Sequence, residues 1–340
     1  MNLITGTWAN KHNVFDNGVK NPNYHYKNIF RLLKEQEPQK KIAIFSTWTD
    51  NRIKLVGEGL SHAGGVSFDY RFDGYELDQI AYPHDSEDYY IYHIDERVIN
   101  ETAACIRTSA PDLSWVYLQY TDDVAHMFGD SDQFNQSILN FDNQIKRIWE
   151  TVEYRQKTFS EDWLVIITTD HGRDPNTGKD HGKQSDRERT TWIVINKHDT
   201  NDYFRDFQPG IVDLLPTMTR FLGISVPLES VRELDGVPLI GNISLAKLQV
   251  NLLGDRIEFT WKAFDHVGNV TIWLSTTNSF KNGITDDYQM IGTIAIDKEA
   301  AMIDIQNYPS NFYKVVLAGR HNMVNKWLFR PGYNYSQVNT

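Results

Sequence analysis

The sequence has little of three things, and each scarcity excludes a class of protein. Cys105 is the single cysteine among 340 residues, so the chain cannot form an internal disulfide bond. No run approaches the roughly 20 apolar residues of a membrane-spanning helix, and residues 1–10 lack the basic and apolar regions of a signal peptide. The 34 Lys and Arg are outnumbered by 45 Asp and Glu, for a net charge of −11. Nucleic-acid-specific binding is therefore not expected, because it needs clustered basic residues.

Short apolar runs alternate with helical patterns, which is typical of a layered α/β domain. The clearest helix has apolar residues three or four apart from Phe134 to Val152, with Ser131 as its predicted N-cap. Another helix is predicted over Val212 to Leu222, with Pro216 at a kink or in an early turn. Buried strands are predicted at 41–45, 114–120, 163–168 and 191–195.

The pattern changes after about Ala246. Short segments with alternating apolar and polar residues follow one another, separated by turn residues such as Gly254-Asp255 and Asn282-Gly283. This spacing predicts a small all-β sandwich over residues 246–340, resembling a fibronectin type III or immunoglobulin-like module. Residues 1–245 would form the other domain. A likeness at the level of fold carries no activity with it.

Polar side chains that could bind a metal follow two of the predicted strands. Asp122 and His126 come after the second strand, four residues apart, so one helical turn would place both on one face. Asp170 and His171 directly follow the third strand, and His181 comes ten residues later in a polar loop. Sites in open α/β sheets collect at the carboxyl ends of strands. Imidazole and carboxylate are common Zn²⁺ ligands, so together these residues predict a metal site.

Each cluster taken alone also fits an ordinary structural interpretation. An Asp–His pair at the start of a helix is often a cap with a surface histidine. A histidine in a polar loop, such as His181, is often simply solvated. The metal interpretation depends on the clusters occurring together, at corresponding places in one predicted domain.

The order of these clusters resembles that in the type I phosphodiesterase/nucleotide pyrophosphatase group of the alkaline phosphatase superfamily. The resemblance covers roughly residues 1–240 and includes Leu3 to His12, which is similar to the family's Leu-x-Thr-Gly-x-x-Pro-x-x-His stretch with Ala9 in place of proline. It implies an alkaline-phosphatase-like layered sheet with helices on both faces, and a site for two divalent metal ions, with zinc the expected element.

The resemblance also implies a role for each candidate residue. Asp122, His126 and His181 would hold one ion, and Asp170 and His171 would hold part of the other. Asn17 falls where the family has an asparagine that donates a hydrogen bond to a phosphate oxygen, a form of transition-state stabilisation. Its sequence context, Asp16-Asn17-Gly18, is equally a strong turn signal.

Two residues that the family uses have no counterpart in the sequence. A further metal-binding Asp and a Ser or Thr nucleophile would lie before the Thr5-Gly6 stretch, with the nucleophile only a few residues before Met1. We therefore expect an N-terminally incomplete chain. A core strand would be absent with them, which would leave unpaired backbone groups or an exposed apolar face on the sheet.

The expected function is that of a metal-dependent phosphodiesterase or phosphatase acting on a small phosphorylated substrate. The alternative is a catalytically inactive remnant that binds metal, phosphate or a protein partner. A sulfatase is disfavoured because no Cys-x-Pro-x-Arg motif is present, and a cofactor-independent phosphoglycerate mutase because no large inserted domain is found. The resemblance favours a periplasmic or secreted location. The sequence indicates neither the leaving group nor a protein partner.

Overall fold

The structure is a computed structural model that describes residues 1–333. The chain divides into two compact units. The continuous unit is Leu33–Asn196, and the split unit combines Met1–Leu32 with the described part of Lys197–Thr340. Both contain helices and strands. None of the helices formed by residues 1–333 is long and apolar enough to cross a membrane.

The described residues form ten α-helices and twelve β-strands, numbered along the chain. The helices are α1 (Asn2–Thr5), α2 (Ala9–His12), α3 (Ile29–Gln36), α4 (Tyr89–Ser109), α5 (Tyr120–Phe128), α6 (Asp132–Phe159), α7 (Asp186–Arg189), α8 (Asp202–Asp206), α9 (Leu214–Leu222) and α10 (Leu228–Val231). The strands are β1 (Ile42–Ser46), β2 (Tyr70–Phe72), β3 (Leu113–Tyr117), β4 (Ile166–Thr168), β5 (Ile193–Ile195), β6 (Leu245–Leu253), β7 (Arg256–Ala263), β8 (Asn269–Ser275), β9 (Gln289–Ala295), β10 (Ala300–Asp304), β11 (Phe312–Ala318) and β12 (Met323–Phe329).

A parallel sheet of order β2-β1-β3 forms part of the continuous unit. In its register Phe45 of β1 pairs with Phe72 of β2 and Val116 of β3. All five residues of β1 are buried, whereas those of β3 are only half buried. Among residues 1–333, β1 is the only strand that pairs with β3, which therefore lies at one end of the sheet.

The strands β4 and β5 form a separate antiparallel pair in the same unit. The predicted strand over 163–168 was too long, because β4 covers only its last three residues. The Asn196 side chain takes over the earlier pairing: its Oδ1 accepts from the Val165 N–H at 2.8 Å and its Nδ2 donates to the Trp163 carbonyl at 2.9 Å. Together with the bond from the Asn196 N–H to the Val165 carbonyl at 3.3 Å, these side-chain bonds join the segment before β4 to the end of β5.

The helices α4 and α6 pack together beneath both sets of strands. Their buried residues Ile99, Ile106, Ile148 and Val152 form one cluster, on which side chains from both strand regions pack, namely Val116, Leu118, Trp163 and Val165. The prediction of α6 is confirmed, including the cap, since the Ser131 hydroxyl accepts the Phe134 N–H. Its apolar stripe is buried only in part, with Ile138 44% exposed.

In the split unit, β6 to β12 form two antiparallel sheets of order β10-β7-β6 and β12-β11-β8-β9. The predicted series of short strands after residue 246 is therefore present in the described residues; residues 334–340 of the predicted domain lie outside them. The boundary between residues 245 and 246 and the fibronectin- or immunoglobulin-like type stay predictions. Pro216 is the third residue of α9, in its first turn, and α1 packs against α9 and the short helix Ile211–Asp213.

Buried charges join β11 to the segment after α10 within the split unit. The Lys314 Nζ lies 2.6 Å from Glu233 Oε1 and 2.6 Å from Asp286 Oδ2. All three side chains are at most 2% exposed. Such charges are tolerated in an interior only when they are paired, so the three residues depend on one another.

Candidate metal site

The helix α5 carries the first two candidate ligands, as the sequence predicts. Asp122 and His126 lie one helical turn apart, with His126 Nε2 3.4 Å from Asp122 Oδ2. Residues four apart share a face of a helix. The prediction that this pair is presented by a single helical turn is confirmed.

A buried carboxylate fixes the start of α5. Asp95 on α4 is 2% exposed, and its Oδ1 accepts from the Thr47 hydroxyl at 2.5 Å and the Gln119 N–H at 3.1 Å. Its Oδ2 accepts the Tyr120 N–H at 2.9 Å. The predicted strand over 114–120 was therefore too long: β3 ends at Tyr117 because Asp95 captures the N–H groups of two residues that would have extended it. Burial raises the pKa of Asp95 to about 7.

The second pair of candidate ligands follows β4. His171 Nδ1 lies 2.9 Å from the Gly172 carbonyl. Donation from Nδ1 to that carbonyl would leave the Nε2 lone pair free for a metal, a common arrangement for histidine ligands. The Asp170 carboxylate is 66% exposed, and its Oδ2 lies 3.6 Å from His171 Nε2.

Gly172 lets this segment lie against the backbone around α7. Its N–H donates to the Glu188 carbonyl at 2.9 Å. A Cβ built on Gly172 would be 2.0 Å from the Arg187 carbonyl oxygen, a distance that real side chains do not reach. The glycine after His171 is thus required by a close backbone approach.

The polar loop before His181 is held by one carboxylate. Asp174 accepts the backbone N–H groups of Asn176, Thr177 and Asp180 at 2.9 to 3.1 Å, and the Thr177 hydroxyl at 2.8 Å. The hydrogen bonds from Thr177 and Asp180 hold the pKa of Asp174 well below its usual range. The loop therefore delivers His181 in a defined position.

Four of the five candidate ligands converge. Asp122, His171 and His181 offer ligand atoms that all lie within 4.8 Å of one another. The Nε2 atoms of His171 and His181 each lie 3.9 Å from Asp122 Oδ1, and His181 Nε2 lies 3.1 Å from His126 Nε2. Asp170 sits at the margin, next to His171. The division of these residues between two ions stays a prediction.

The surroundings favour metal binding by neutral imidazole. Burial, and then the neighbouring His171, lower the pKa of His181. Metal ligands must be deprotonated, so this shift favours the form that binds. Three imidazoles and a carboxylate, which Asp170 can supplement, suit a borderline-soft divalent cation such as Zn²⁺.

Two residues at the site were missed in the sequence analysis. Arg173 contacts Asp122, and nothing in its local sequence sets it apart from the rest of the polar loop. Asp95 could have been found, because it interrupts the apolar stripe of α4 between Ile91 and Val98. An acidic residue at a buried helical position signals a specific partner.

Asn17 lies in the split unit, whereas the five candidate metal ligands lie in the continuous unit. It is exposed, in a turn where the Gly18 N–H donates to Asp16 Oδ1 at 2.8 Å. The turn prediction for this segment is confirmed, and the catalytic role of Asn17 stays a prediction. The nearby His12 is fully buried; burial lowers its pKa to about 3.

Comparison with known proteins identifies one matching family, described as type I phosphodiesterase/nucleotide pyrophosphatase, over residues 1–217. No curated protein matches the chain. Among solved structures, similarity is found to a Leishmania mexicana phosphoglycerate mutase, with 11% identity and a TM-score of 0.39 over 62% of this chain and 39% of the mutase. A Giardia intestinalis superoxide reductase is similar with 9% identity and a TM-score of 0.18, over 24% of this chain and 95% of the reductase. Both structural likenesses are too distant to bear on function.

Proposed function

The chain belongs to the type I phosphodiesterase/nucleotide pyrophosphatase family, and from this premise we propose that it is a two-metal phosphoric ester hydrolase. The observation that carries the proposal is the convergence of Asp122, His171 and His181 within 4.8 Å. The family implies hydrolysis of phosphoric esters, and the cluster supplies the ligands that such chemistry needs. The substrate would be a small phosphorylated molecule, as a phosphodiester or a phosphomonoester. By the same resemblance we propose a periplasmic or secreted location.

In this proposal Asp122, His126 and His181 hold one divalent ion, and Asp170 and His171 contribute to the second. When bound, the ions would polarise the phosphoryl oxygens and lower the pKa of the attacking group. The contact of His171 Nδ1 with the Gly172 carbonyl fixes its ring so that Nε2 faces Asp122. Asn17 would donate to an equatorial phosphoryl oxygen.

The nucleophile is assigned to none of the described residues of the cluster. By resemblance to the family, we propose that the nucleophile and a further Asp ligand are residues outside this cluster.

The test uses protein purified from its native source, with its intact mass and N-terminal sequence determined. We expect metal-dependent hydrolysis of bis(p-nitrophenyl) phosphate or p-nitrophenyl phosphate that is lost on chelation and restored by Zn²⁺. Protein that binds Zn²⁺ but hydrolyses neither ester would support the alternative of a metal-, phosphate- or partner-binding remnant. Protein that binds no divalent ion would refute both the hydrolase and a metal-binding remnant.

A further inference from the structure

Arg173 makes contacts that no other described residue of the site makes. Its side chain is only 10% exposed, although it carries a charge. Nη2 donates to the main-chain carbonyl of Asp122 at 2.8 Å and also contacts the Asp122 carboxylate. Nη1 donates to the Lys179 carbonyl at 3.2 Å. Burying a guanidinium is costly unless it is fully paired, so these contacts constrain where the side chain can lie.

These contacts connect the three segments that carry the candidate ligands. Arg173 itself belongs to the strand end that holds Asp170 and His171. One nitrogen reaches α5 at Asp122, and the other reaches the loop two residues before His181. Asp122 lies 51 residues before Arg173, whereas Lys179 lies six residues after it. The planar guanidinium, with its fixed fork of donors, is suited to hold two acceptors at once.

We propose that Arg173 is a positioning residue that assembles this metal site, an inference that rests on the proposed function. By donating to the main-chain carbonyl of Asp122 and contacting its carboxylate, it fixes the orientation of that carboxylate. By donating to Lys179 it holds the loop that presents His181. Groups that hydrogen-bond to metal ligands typically change metal affinity by about 10- to 100-fold when they are removed.

A guanidinium beside a ligand could have the opposite effect on affinity. As a cation it repels an incoming divalent ion and competes for the same carboxylate oxygen. When the charge of Arg173 is removed, positioning predicts weaker binding of the divalent ion and competition predicts tighter binding. A single measurement of affinity therefore distinguishes them.

The experiment measures Zn²⁺ affinity by calorimetry, and the visible spectrum with Co²⁺, on the full chain and three variants. We expect Arg173→Gln to bind Zn²⁺ about 10- to 100-fold more weakly and to alter the Co²⁺ spectrum. Arg173→Lys keeps the charge but lacks the fork, and should recover part of the affinity. Arg189→Gln is the matched control, because Arg189 is 56% exposed and pairs with Asp186 on α7; it should bind as wild type does. Unchanged or tighter binding by Arg173→Gln would overturn the inference.

A second readout does not depend on metal. In the metal-free chain, Arg173→Gln should accelerate amide hydrogen exchange in residues 174–181 and in the first turn of α5, and Arg189→Gln should not. Equal exchange in both variants would overturn the inference. A wild-type chain that takes up no ion would refute the metal site itself, and the inference with it. If the wild-type chain binds Zn²⁺ and Arg173→Gln binds it equally well, the inference about Arg173 is overturned and the metal site stands.

Discussion

The Nε2 atoms of His126 and His181 lie 3.1 Å apart, although 55 positions separate the two residues in the sequence. Two imidazole lone pairs at this distance repel unless a proton or a cation lies between them. Ligands at about 2.0–2.1 Å from a tetrahedral zinc ion are about 3.3 Å from one another. The spacing is therefore close to that of two ligands of one ion, and it is the basis of the first prediction.

His181→Ala should abolish binding of the ion assigned to Asp122, His126 and His181, because it removes one of three ligands. The measurement is metal content after dialysis against Zn²⁺, together with calorimetric titration. His198→Ala is the control, since His198 is an exposed histidine in the split unit. Wild-type metal content in His181→Ala would remove His181 from the ligand set.

Asp95→Asn should change how stability depends on pH. Burial raises the pKa of Asp95 from 3.8 to about 7, so the folded protein holds this proton more tightly than the unfolded chain does. Its contribution to the free energy of unfolding is fully present below about pH 4 and is lost as the pH rises through 7. This dependence of the free energy of unfolding on pH should disappear in Asp95→Asn. Urea unfolding at several pH values measures it.

The same substitution has a cost that does not depend on pH. When the side-chain oxygen of the introduced asparagine accepts from Thr47 and Gln119, its NH₂ group faces the Tyr120 N–H. The Tyr120 N–H then has no acceptor. A buried unsatisfied donor costs about 1–3 kcal/mol. Asp142→Asn, at an exposed position of α6, should keep the wild-type slope; parallel pH curves for wild type and Asp95→Asn would contradict the prediction.

Gly172→Ala should destabilise the continuous unit and weaken Zn²⁺ binding, because the new Cβ would meet the Arg187 carbonyl at 2.0 Å and neither backbone can give way easily. Overpacking of this kind costs about 1–3 kcal/mol. Gly292→Ala in β9 is the matched control, since no atom lies within 4 Å of its built Cβ. Thermal unfolding and Zn²⁺ titration compare the two variants. Equal stability and equal Zn²⁺ affinity would contradict the prediction and show that the backbone at Gly172 can move away from Arg187.

Lys314→Met should cost about 3–5 kcal/mol, because it leaves the buried carboxylates of Glu233 and Asp286 without their cation. Lys262→Met is the comparison: Lys262 pairs with Glu299 at 2.8 Å, but both side chains are at least 40% exposed, and exposed pairs contribute little. Urea unfolding gives both values. Similar losses in the two variants would mean that burial does not set the strength of these ion pairs.

Local patterns in the sequence predicted several structural features in and around the candidate site. The helical spacing of Asp122 and His126 and the cap of α6 at Ser131 are properties of neighbouring residues, and both are found in the structure. The convergence of two strand ends follows from a general rule for α/β sheets. These features required no knowledge of contacts between distant residues.

The remaining features depend on such contacts and could not be predicted. The strand β3 ends early because Asp95, more than 20 residues away in sequence, takes two of the N–H groups that follow it. The strand β4 is short because Asn196 pairs with the segment before it. The role of Arg173 depends on acceptors at positions 122 and 179, which no periodicity connects. Tertiary hydrogen bonds override local preference in all three cases.

The arrangement of the two units has a consequence for how the protein is made. In the split unit α1, which contains the 1% exposed Ile4, packs against α9. This contact cannot form until α9 (Leu214–Leu222) has been synthesised. At ribosomal rates of roughly 5–20 residues per second, that delay is on the order of 10–40 s. The continuous unit can fold during this interval, whereas the N-terminal apolar segment must wait.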